Sequence, residues 1–168
     1  RPLDILIFFT WLVILAFLFA LALCNLRTKL FPNALVYPLG LIVVFYQLLI
    51  AVQTSDLLTL WYAFLGFLTI GLPLYTFFQV TNGVKIGGGD VKLGGVIGIL
   101  VGSWEVALLC LVLWVVIVYG SIFAILAIQN RRHLSAEYRA KLIETGPVWL
   151  IVAVFCVLFG NQIVDAIT

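Results

Sequence analysis

Six long apolar runs separated by short polar turns fix what this chain can fold into. They fall at about Ile5–Cys24, Ala34–Gln53, Leu57–Val80, Val91–Gly102, Glu105–Ile128 and Pro147–Ile167, most of them near the roughly 20 residues that carry an α-helix across a bilayer. With 65% hydrophobic and only 10% charged residues, the chain is far too apolar for a water-soluble domain of its size. Backbone polar groups in lipid must be satisfied within the segment, so such runs span as helices. The sequence therefore predicts an all-α integral membrane protein, a single domain over residues 1–168 with six transmembrane helices. The first run is longer than the apolar core of a secretory signal and lacks a small-residue cleavage pattern, so it is expected to be retained.

Charge orients the bundle. Arg27 and Lys29 follow the first run, Lys85 and Lys92 flank the turn before the fourth, and Arg131, Arg132, Arg139 and Lys141 lie between the fifth and sixth. By the positive-inside rule these alternate loops are cytoplasmic, which puts both termini outside. Asp4, Asp56, Glu105 and Asp165 fall on the outer side. Asp90 does not.

The fourth run is the odd one. From Asp90 to Gly102 a helix rises only about 20 Å, short of a hydrocarbon core about 30 Å thick. Either the helix begins below the headgroups or the preceding chain dips inward. Gly94, Gly98 and Gly102 follow Asp90 at four-residue intervals, the small-residue pattern of close helix packing in lipid. That register aims the carboxylate into the bundle. Gly71 and Pro73 interrupt the third run, where a kink would open space near the glycine turn. Between the fifth and sixth runs, Leu134, Tyr138 and Leu142 share a face apart from Glu137 and Lys141. This predicts an amphipathic helix on the inner membrane surface.

Most chemistries find no support. Cys24, Cys110 and Cys156 are isolated in or beside apolar runs with no paired spacing, so neither a metal nor another cofactor is expected and the thiols read as small buried residues. The single histidine, His133, lies in a basic loop away from Ser103 and Ser121, which argues against a Ser–His pair. Nothing points to nucleic acid.

The run Ile86-Gly87-Gly88-Gly89-Asp90-Val91-Lys92 has two readings. In one, Asp90 is a helix N-cap preceded by glycines with unusual backbone angles. In the other, Gly87 and Gly89 admit an extended peptide and Asp90 is half of an aspartyl pair sharing one proton. The second needs a partner from the same membrane face, and no remaining acid supplies one.

The segment Asn25-Leu26-Arg27-Thr28-Lys29-Leu30-Phe31-Pro32-Asn33 contains no acid either, yet it bears on the partner position. It resembles the first signature of the prepilin and preflagellin peptidases, membrane aspartyl proteases in which an Asp ends the first span and a Pro-Asn or Pro-Asp pair follows seven residues later. Gly87, Gly88, Gly89 and Asp90 match that family's GxGD signature, and Lys92 matches a basic residue common just after it. The resemblance covers nearly the whole chain. It implies a prokaryotic plasma-membrane endopeptidase that removes the leader of type IV pilin-like precursors at the cytoplasmic face. Asp90 and position 25 would be catalytic, with Gly87, Gly88, Gly89, Lys92, Pro32 and Asn33 as motif residues around the substrate. The larger members carry an amino-terminal region with cysteine pairs and methyltransferase activity. The short peptidase-only type, which this chain resembles, does not.

One position departs from the pattern: Asn25 stands where the family has its first aspartate. Asn has nearly the shape of Asp but cannot act as base or hold a shared proton. The resemblance thus implies a peptidase fold whose present chain is inactive. The alternatives are a natural pseudopeptidase and a non-enzymatic transporter or scaffold.

Overall fold

In the computed structural model, residues 2–83, 86–129 and 145–167 are described. They form six helices: α1 Pro2–Thr28, α2 Asn33–Thr54, α3 Leu58–Val80, α4 Gly88–Val101, α5 Trp104–Gln129 and α6 Thr145–Ile167. There is no strand among the described residues. The amphipathic helix expected within 130–144 lies outside them.

Five of these helices are long and apolar enough to cross a membrane; α4 is the exception. Its 14 residues span only about 21 Å. It packs against α2, α3, α5 and α6, so the shortest helix sits inside the bundle. The outer helices carry the apolar exterior: Phe8, Phe19, Leu41, Phe45, Phe64, Leu72, Val116 and Phe155 are all exposed. An apolar surface that extensive belongs against lipid.

Hydrogen bonds tie the helices together at the end of the bundle where α1 begins and α2 and α4 finish. There Gln53 Nε2 donates to Asp4 Oδ1 at 2.6 Å, joining the end of α2 to the start of α1. Asp56 Oδ1 accepts from the Leu58 N–H at 2.9 Å and starts α3. The Gln47 amide donates to the Ile99 and Leu100 carbonyls at 2.6 and 3.0 Å, satisfying acceptors that the end of α4 would otherwise leave open in a dry interior. Gly102 closes that helix with φ 71°, a left-handed geometry suited to glycine.

Small residues bring α4 close to α3. A Cβ at Gly98 would collide with the Gly66 backbone, and one at Gly66 with that of Gly98, so the two main chains are in direct contact there. Gly95 receives Phe67, while Gly94 receives Leu74, Ile70 and Trp149. The predicted four-residue glycine face is therefore a packing face, although its neighbour Gly95 shares the work. Asp90, on the same face, is 8% exposed and turned into the bundle.

Candidate active site

The site lies at the end of the bundle where α1 stops and α2, α4 and α6 begin. α1 continues past its predicted limit at Cys24 to Thr28, which leaves Asn25 on helical backbone near its end. Lys29 then turns the chain with φ 59°. The Pro32 carbonyl accepts from the N–H groups of Leu35 and Val36, and α2 starts. Proline suits that boundary, because its fixed φ and missing N–H fit a position just outside or at the start of a helix.

The glycine run differs from its N-cap reading. The cap of α4 is Gly87, in extended conformation with φ −74°, an angle open to any residue. Asp90 is the third helical residue, and its side chain hydrogen-bonds back to the Gly87 backbone N–H. That is the carboxylate half of a capping box. What glycine supplies here is space: a Cβ at Gly89 would lie 2.9 Å from Phe31 Cβ. Phe31, buried in the loop after α1, thus seats directly on the glycine turn.

This contact unites the two sequence signatures, and a second one reinforces it. Lys92 Nζ donates to Asn33 Oδ1 at 2.9 Å and stands 5.3 Å from the Tyr37 ring centroid, a cation–π arrangement. Pro32, Asn33, Gly87, Gly88, Gly89 and Lys92 accordingly surround one end of α4. Lys92 and Asn33 are exposed, as are Arg27 and Lys29.

Asn25 and Asp90 are brought together through α6. Asn25, 4% exposed, accepts a hydrogen bond at Oδ1 from the Gly146 N–H at 2.9 Å. Asp90 Oδ1 accepts from the Trp149 indole Nε1 at 3.1 Å, and the Thr145 side chain also hydrogen-bonds this carboxylate. Two helix N-termini, those of α4 and α6, therefore meet at the pair, and each favours negative charge. Trp149 is fully buried and stacks on Trp114 with centroids 4.9 Å apart.

Sequence reasoning missed Thr145, Gly146 and Trp149. A signal for Trp149 was present, because a buried tryptophan usually finds an acceptor for its N–H, although the indole N–H of Trp114, stacked on it, finds none among the described residues. Asp90 was the one membrane-embedded acid assigned to that side. Asp4 and Asp56, expected on the outer side, lie at the opposite end of the bundle from Asp90, on the α1 start and the α2–α3 turn. Cys110 and Cys156 are in the apolar core, as expected, and Cys24 is half-buried. Among the described residues no three His, Cys, Asp or Glu side chains gather as a metal-binding group.

Chemically, the site offers one carboxylate and one carboxamide, both held by backbone or indole donors, beside a glycine turn whose first residue, Gly87, is exposed. No curated protein and no solved structure matches the chain. The family model described as the type IV leader peptidase family matches residues 12–128, more than half of the sequence and inclusive of Asn25, Pro32-Asn33 and Gly87–Asp90. The chain belongs to the type IV leader peptidase family.

Proposed function

We propose that this fold is an aspartyl endopeptidase that removes the leader of type IV pilin-like precursors at the cytoplasmic face of a prokaryotic plasma membrane. In this reading the six helices all lie within the membrane, α4 as its short inner member, and both termini are outside. The observation that carries it is the convergence of position 25 and Asp90 on the start of α6, with both signatures joined around α4.

The chemistry follows from a pair of carboxyl groups sharing one proton. The ionised group takes a proton from water, and the water oxygen bonds to the scissile carbonyl carbon. The protonated group supports the developing oxyanion, and the amine leaves with a proton as the C–N bond breaks. The exposed glycine turn gives an extended substrate backbone room to lie close to Asp90. Asn25 fills the partner position in shape but neither accepts nor releases the shared proton. The present chain is accordingly a binding form that does not cut, and its natural role as a pseudopeptidase is the second reading, favoured by Asn25 alone.

The test uses the full chain in proteoliposomes with a pilin-like precursor. The chain itself is expected to bind the precursor uncut. Asn25→Asp is expected to cleave it, and a further Asp90→Asn to abolish that cleavage. An Asn25→Asp protein that folds, binds and never cuts refutes the peptidase reading for this chain.

A further inference from the structure

The family match ends at residue 128, yet the groups that hold both halves of the pair lie beyond it. Gly146 donates its N–H to Asn25 Oδ1 at 2.9 Å, and Trp149 donates its indole N–H to Asp90 Oδ1 at 3.1 Å. Both donors are on α6, less than one turn apart. We propose that the start of α6 is the third arm of the active site, with Trp149 as a positioning residue for Asp90 and Gly146 as one for position 25; this rests on the peptidase reading above.

Donor chemistry gives the arrangement its meaning. An indole N–H and a backbone N–H donate only, so each favours the unprotonated, accepting form of the oxygen that it holds. The Trp149 donor acts in this way on one oxygen of Asp90, and the Gly146 donor on the α6-facing oxygen of residue 25. The shared proton of an active pair is thereby drawn toward oxygens without such a donor. A site of this kind needs its groups held to within about 0.5 Å by neighbours whose own positions are locked. Trp149 meets that condition: it is fully buried, stacked on Trp114 at 4.9 Å, and packed against Gly94, where a Cβ would come 3.1 Å from its ring.

Gly146 meets it by closeness. A Cβ there would lie 2.6 Å from Asn25 Cβ and 2.9 Å from Asn25 Oδ1. No side chain fits between α6 and residue 25, so the backbone N–H reaches the site directly. Pro147 follows, with its fixed φ and lack of an N–H suited to the first turn of a helix.

Two measurements on the full chain test this. In the Asn25→Asp background, Trp149→Phe keeps a ring in the stack and deletes the donor. Its kcat for a pilin-like precursor is expected to fall roughly 10- to 100-fold, the effect of losing a hydrogen bond to a buried charged group, with KM little changed. Gly146→Ala is expected to lower kcat at least as much. The second readout is independent of cleavage: the indole N–H NMR resonance of Trp149, assigned by its loss in Trp149→Phe, should move upfield on Asp90→Ala while the other indole resonances stay in place. Trp149→Phe cleaving as fast as its parent, or an indole resonance indifferent to Asp90→Ala, overturns the proposal. A folded Asn25→Asp parent that never cleaves removes the peptidase reading and the catalytic role together, while the indole resonance still reports whether Trp149 holds Asp90.

Discussion

Changing Gly98→Ala tests whether the packing of α3 on α4 sets the position of Asp90. The added methyl would lie 2.8 Å from the Gly66 carbonyl carbon and 3.0 Å from Phe67 Cα, and closer still to the Gly66 oxygen. Ordinary carbon–carbon contact is about 3.5–4.0 Å, so the helices must part by roughly 1 Å. Every obstacle is main chain and none can rotate away. Overpacking of this sort costs about 1–3 kcal/mol. The functional effect should be larger than that suggests, because Asp90 lies two turns along the same short helix and moves with it. A catalytic group misplaced by about 1 Å loses on the order of 100-fold in rate. The assay is precursor cleavage in the Asn25→Asp background, with thermal unfolding in detergent alongside. Gly120→Ala is the control, since nothing lies within 4 Å of a Cβ there. A Gly98→Ala protein that melts and cleaves like its parent would refute the claim that backbone contact positions the carboxylate.

Gln47→Leu removes both donors to the Ile99 and Leu100 carbonyls and is expected to lower stability by about 1–3 kcal/mol, read as a lower unfolding midpoint in detergent. Because Gln47 binds the end of α4 remote from Asp90, cleavage by the Asn25→Asp protein should fall much less than in Gly98→Ala. Lys92→Met removes the bond to Asn33 and the contact with Tyr37. Both are exposed, so unfolding should change by less than about 1 kcal/mol, and a larger loss would mean that this link between the signatures carries the fold.

The helical bundle was legible because five of the apolar runs are long enough to report themselves, and the orientation of Asp90 because Gly94 and Gly98 repeat at the helical period. The fourth helix was legible only as an anomaly: its shortness is visible in sequence, whereas its place among α2, α3, α5 and α6 arises from tertiary packing. The glycine run was read partly for the wrong physics. Its backbone angle at Gly87 is ordinary, and Gly89 is small because Phe31 presses on it, a contact between signatures that no local rule encodes. Trp149 and Gly146 were harder still. Gly146 meets a residue 121 positions earlier, and a Gly-Pro pair before an apolar run reads simply as the start of a helix.

That long-range contact also bears on Asn25. Asparagine and aspartate differ at one terminal atom, and at a buried site the hydrogen-bond network decides which way the carboxamide points. The Gly146 N–H requires an acceptor, so Oδ1 faces α6 and the Nδ2 group takes the position of the other aspartate oxygen. In the pair described above, that other oxygen is the one free to hold the proton. Asn25 thus presents a neutral donor where a protonated aspartate would present one. On the proposed peptidase reading, Asn25 keeps the charge and hydrogen-bonding pattern of the resting pair and lacks only the ability to pass the proton on. Loss of cutting with retention of binding is then the outcome expected from that single atom, with the Gly146 N–H holding residue 25 in place.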